Sequence, residues 1–105
     1  MKLDRFDPAA REEYLASLRW YRQRDADVAA RFREQVLGTI ASICESPARS
    51  PPARGIAQRL GVRRRVLAGF PYAIFYVEIE TEALILAIAH CRRRPGYWRR
   101  RLPPA

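Results

Sequence analysis

The stretch from Phe70 to Arg101, FPYAIFYVEIETEALILAIAHCRRRPGYWRRR, decides how this chain folds. Tyr72–Ile79 and Ala83–Ala89 are apolar, β-rich runs, and Glu80-Thr81-Glu82 between them is of hairpin-turn length. In the first run Tyr72, Ile74, Tyr76 and Glu78 share one face, and Ala73, Phe75, Val77 and Ile79 the other. Both faces are largely apolar, as in a central strand. In the second run strict alternation puts Leu84, Leu86, Ile88 and His90 on one face. The hairpin ends in His90-Cys91-Arg92-Arg93-Arg94-Pro95, followed by Tyr97-Trp98 and three more arginines. A sheet end thus carries the only histidine beside dense positive charge.

Upstream, Val62–Ala68 reads as a third strand ending at Gly69. Before it, Pro47, Pro51, Pro52, Gly55 and Gly61 punctuate a long connection. Pro47 closes a helix in which Val28, Phe32, Val36, Ile40 and Ile43 recur at helical spacing. Asp25 or Asp27 opens that helix. An earlier helix starts at Asp7-Pro8 and carries the stripe Tyr14, Leu18 and Tyr21, ending near Gln23. Trp20 and Tyr21 close it and face the core or a partner. Lys2–Phe6 is a short first strand. The expected fold is α+β, in the order β-α-α-β-β-β, with a helical hairpin packed on a small, mostly antiparallel sheet in one domain spanning 1–105.

The charge is +9, and it is segregated. Residues 1–48 hold eight basic and eight acidic side chains, whereas residues 49–105 hold twelve arginines against Glu78, Glu80 and Glu82. Such asymmetry points to an anionic partner for one face. Cys44 and Cys91 lack metal-ligand spacing and read as two thiols without a bridge. No metal site and no cofactor are expected. No run is long and apolar enough for a membrane span, and MKLDRFDPAA lacks the apolar core of a signal peptide, so a cytoplasmic protein with no membrane partner is expected.

Taken in order, Ala29-Ala30-Arg31-Phe32, Gly61-Val62-Arg63-Arg64, Phe70-Pro71-Tyr72-Ala73-Ile74-Phe75-Tyr76 and His90-Cys91-Arg92-Arg93-Arg94-Pro95-Gly96-Tyr97-Trp98 resemble the RelE/ParE superfamily of toxins from type II toxin–antitoxin pairs. The closing motif is similar to the ParE-like branch. The resemblance implies a growth-inhibiting toxin neutralised by a cognate antitoxin. It also implies either of two targets: DNA gyrase, poisoned without chemistry as by ParE-like members, or the ribosome, where RelE-like members cleave mRNA.

RNA cleavage through the ribose 2′-hydroxyl needs a base, an acid for the leaving oxygen, and positive charge at the phosphorane. His90 or Glu78 are the candidate bases, Tyr97 or His90 the acids, and Arg63, Arg64, Arg92 and Arg93 the stabilisers. If the chain is an RNase, its catalytic set is Arg63, Arg93, His90 and Tyr97. The strand lysines of RelE-like toxins are missing, and arginine stays protonated, so the base is the weak point. His90 reads either as a titrating base or as a strand-end histidine bonded to a backbone carbonyl. For contact with a target or anion the candidates are Arg63, Arg64, Arg65, Arg92, Arg93, Arg94, Tyr97, Trp98, Arg99 and Arg100. Trp98 either stacks on a base or folds back over the sheet. The antitoxin is expected to offer an acidic segment with apolar anchors.

Overall fold

Two aspartates start the two helices. In the computed structural model of the chain, which describes residues 1–55 and 59–104, Asp7 accepts from the Ala9 N–H at 2.8 Å and opens α1 (Pro8–Arg22). Pro8 at the first helical position gives up an N–H that has no helical acceptor. Asp25 rather than Asp27 opens α2 (Ala26–Glu45), accepting from Asp27 N–H at 2.9 Å and Val28 N–H at 3.3 Å. Both helices lay their apolar stripes on the same face of a four-stranded sheet. No helix is long and apolar enough to cross a membrane.

The strands are β1 (Leu3–Phe6), β2 (Arg63–Val66), β3 (Tyr72–Ile79) and β4 (Glu82–His90), arranged β1-β4-β3-β2. β3 is antiparallel to both neighbours, and β1 runs parallel to β4. This is the expected α+β order, with a mixed sheet. β2 is shorter than the Val62–Ala68 expected. Val62 is fully buried beneath the second face before the strand begins. Beyond Val66, the Leu67 N–H bonds the Tyr72 carbonyl and the chain turns at Gly69, whose φ of +77° suits glycine. The β3–β4 hairpin closes over two residues, because Ile79 pairs with Glu82. Glu80 there takes φ +49°.

One reading of the faces is corrected. Phe75 pairs with Ala87 and Tyr76 with Ile85, which leaves Leu86 as an extra residue in β4. That bulge resets the alternation. Leu84 and Leu86 face away from the helices, whereas Ile88 packs beneath them with Ile74, Tyr76 and Ile85. His90 follows Ile88 and meets Tyr72 edge-on, with ring centroids 5.2 Å apart. So Leu84, Leu86, Ile88 and His90 do not share a face.

The helix side is an aromatic core centred on Phe32, with Tyr21, Phe70 and Tyr72 rings 5.0 to 5.3 Å away. The opposite side is covered by irregular chain. Ala53 and Val62 come from the Pro-rich connection, and residues 97–102 fold back from beyond β4. Trp98, 2% exposed, lies against Phe75 at 5.2 Å between ring centroids. Cys44 is buried in α2 and Cys91 exposed past β4, both as free thiols.

Candidate functional site: an arginine-ringed groove

The arginine triplet of β2 alternates, so its members go to different faces. Arg63 and Arg65 pair with Tyr76 and Ile74 on the helix side, and Arg64 with Phe75 on the other. Arg63 donates to the Ser50 carbonyl at 2.7 Å and to the Ala48 carbonyl at 3.3 Å. Its Nε lies 3.8 Å from Glu78. Arg65 donates to Ser50 Oγ and Ser42 Oγ, both at 2.7 Å. These two arginines therefore tie the segment after α2 to the sheet. Tyr76 adds a hydrogen bond from its hydroxyl to the Pro47 carbonyl.

Arg64 instead looks into a groove of about 860 Å³ on the second face of the sheet. Ala73, Phe75 and Ala89 floor it. The 51–55 segment walls one side and the loop of residues 91–99 the other. Arg54, Arg64, Arg93, Arg94 and Arg99 line it, with His90 and Cys91 and, among the described residues, without a carboxylate. Arg92 and Arg100 are exposed outside it. Among the described residues the ion pairs are Lys2–Glu78, Arg5–Glu82, Arg63–Glu78 and Arg101–Glu13, so none neutralises an arginine of the groove.

A clamp holds the 91–99 loop in place. Glu13, on α1, accepts from the Tyr97 hydroxyl at 2.6 Å and from both guanidinium nitrogens of Arg101, at 2.9 and 3.0 Å. It also accepts from the Ile88 N–H at 3.2 Å, while Arg101 donates to the Leu86 carbonyl at 2.9 Å. The β1 ladder stops at Phe6–Ile85, and the clamp satisfies the β4 backbone groups beyond it. Burial, and then the hydrogen bond to Glu13, push the Tyr97 hydroxyl well above the usual tyrosine range. The Arg93 guanidinium lies 3.9 Å above the Tyr97 ring centre and Arg101 5.0 Å from it.

Of the four residues of the RNase reading, Arg93, His90 and Tyr97 line the groove, whereas Arg63 does not. Arg63 is on the helix side of the sheet and Arg93 at the groove. The Tyr97 proton is directed at Glu13. His90 Nδ1 accepts from the Arg92 N–H at 3.1 Å, a backbone donor where a carbonyl was expected. Glu78, the other candidate base, sits between Lys2 and Arg63, away from the groove. Of the anion-contact set, Arg64, Arg93, Arg94 and Arg99 converge, Arg63 and Arg65 are used internally, and the Trp98 ring is packed inside. Trp20 is half exposed beneath the Arg24 guanidinium, and Tyr21 joins the aromatic core.

Glu13 and Arg54 escaped the sequence reading, and so did the internal role of Arg101, which the sequence groups with Arg99 and Arg100 as an anion contact. Glu13 had a weak signal, for it lies three residues past Ala10, at the margin of the apolar stripe of its helix. An acid there needs a buried partner. Arg54 had none, sitting in an irregular connection.

The profile of the family described as "ParE toxin of type II toxin-antitoxin system, parDE" matches residues 5–95. No curated protein matches the chain significantly in sequence. Among solved structures, a chain of the chromosomal ParDE TA system from P. aeruginosa superposes with a TM-score of 0.70 at 16% identity. The match covers 86% of this chain and 96% of that one. At that identity the likeness is one of fold.

Proposed function

The chain belongs to the ParE toxin family of type II toxin–antitoxin systems, and on that premise we propose that it arrests growth by poisoning DNA gyrase through binding alone. A cognate antitoxin holds it inactive. The observation that carries this reading is the groove, where, among the described residues, five arginines gather around a single imidazole. Arginine does not give up its proton near neutral pH, and the Tyr97 proton is held by Glu13. Such a surface grips a partner and stabilises negative charge, but His90 is the single imidazole at it, with Nδ1 taken by the Arg92 N–H, whereas strand cleavage needs both an acid and a base.

The test is pulse-labelling of new DNA and new protein after inducing the chain alone in bacteria, paired with a supercoiling assay on purified gyrase. DNA synthesis is expected to stop first, and gyrase to accumulate cleaved DNA. Protein synthesis stopping first, with gyrase unaffected, would establish the RelE-like mRNA endoribonuclease instead. The antitoxin is proposed to contribute an acidic segment with apolar anchors. An affinity that does not change with ionic strength would remove the electrostatic half of that proposal.

A further inference from the structure

We infer that the arginine groove is a site for the phosphodiester backbone of a single nucleic-acid strand, a contact separate from any made with a target protein. The inference rests on the gyrase reading only for the identity of that strand, DNA that the enzyme has opened.

Three observations carry it. The first is charge. Five guanidinium groups line one concavity of about 860 Å³, and among the described residues none has a carboxylate partner. Their mutual repulsion is relieved by an anionic occupant. They converge on a concavity, which a single strand, thinner than a duplex, can enter more deeply.

The second is hydrogen-bonding polarity. The charged side chains around the groove donate, and guanidinium has no acceptor. The groove is also floored by the face of the sheet, through Ala73, Phe75 and Ala89, and not by a strand edge. A peptide in that position would bring N–H groups with no ladder to join, whereas a phosphodiester brings only acceptors. Arginine's planar fork matches phosphate in two-bond geometry.

The third is preorganisation without rings to spare. Arg93 sits over the Tyr97 ring, whose hydroxyl is fixed by Glu13. Gly96, at φ +77°, leaves room for the Arg99 stem, which comes within 3.3 Å of where a Cβ would stand. Tyr97 carries a guanidinium over its ring and the Trp98 ring is buried, so neither offers a clear platform for a base. Recognition then reads the backbone and is indifferent to sequence.

The test uses the intact chain and a fluorescein-labelled thymidine oligonucleotide, with anisotropy read across a salt series. The wild type is expected to bind, and the triple variant Arg64→Ala, Arg93→Ala, Arg99→Ala to lose about 2 from the log–log salt slope, at ~0.7 per lost phosphate contact. The control triple Arg11→Ala, Arg19→Ala, Arg33→Ala removes the same charge from exposed helix positions and is expected to keep the wild-type slope. Equal losses in the two triples would overturn the inference. So would displacement of the oligonucleotide by charge-matched poly-glutamate, which would assign the groove to an acidic protein segment. A wild type that poisons gyrase without binding the oligonucleotide sinks the inference and leaves the gyrase reading standing. Binding with no effect on gyrase does the reverse. If the groove triple fails to fold, Arg64→Ala alone, at an exposed position of an edge strand, is expected to lower the slope by ~0.7.

Discussion

The two faces of the sheet use the same residue types for opposite ends. On the helix side Arg63 and Arg65 spend their donors on Ser42 Oγ, Ser50 Oγ and loop carbonyls, and aromatic rings close around Phe32. On the other side Arg64, one residue from each, is exposed and joins four more arginines around a concavity. Pleating alone separates structural arginines from available ones. The difference teaches that a basic run in a strand is not one surface but two.

The comparison breaks most readily where the second face is held together. Trp98→Ala removes the ring that covers Phe75 and is expected to destabilise the fold by about 3–5 kcal/mol. Urea denaturation followed by circular dichroism measures it. Glu13→Ala leaves Arg101, the Tyr97 hydroxyl and the Ile88 N–H without their acceptor, at a cost of about 3 kcal/mol. Glu13→Gln is expected to recover part of that loss, since an amide oxygen still accepts. No loss in Glu13→Ala would mean that the clamp does not hold the loop.

The next test sharpens the contrast within β2. Arg65→Ala strips two side-chain hydrogen bonds and is expected to cost about 1–2 kcal/mol, whereas Arg64→Ala stays within about 0.5 kcal/mol of the wild type. Similar values for the two would erase the distinction between the faces.

Alkali offers a subtler probe of the second face. The folded Tyr97 hydroxyl titrates above its unfolded value, so the folded state holds the proton more tightly. Its contribution is complete below about pH 10 and is lost as pH rises from there toward the folded value. Tyr97→Phe is expected to flatten the fall in stability above about pH 10, leaving the parts due to Tyr21 and to the Cys44 thiol, both also raised by burial. Smallest is the expected gain from Gly38→Ala, about 1 kcal/mol, because nothing lies within 4 Å of the added Cβ.

Much of the helix side was legible in the chain. Asp7-Pro8, the stripe from Val28 to Ile43 and the Tyr72–Ile79 run each carry a local signal, and each forms the element it predicts. The second face was less legible, because its determinants are not local. A one-residue bulge at Leu86 has no composition signature, yet it decides which way Ile88 and His90 point. Glu13 and Arg101 meet across nearly the whole chain, a pairing that no window of periodicity can reveal. The arginines of the groove were visible as a set. Their division into tied and untied members depended on strand parity and on loop carbonyls that only the fold supplies.

The Glu13–Arg101 pair also sets an order of events. Its partners are 88 residues apart, so the ring it closes encompasses most of the polypeptide. A ribosome releases α1 well before Arg101, and the groove's second wall is not fastened until that partner docks on Glu13. Nascent chains stopped at Cys91 are expected to keep the helix-side core and expose Phe75, which a hydrophobic dye detects. The second face is thus completed only after the first.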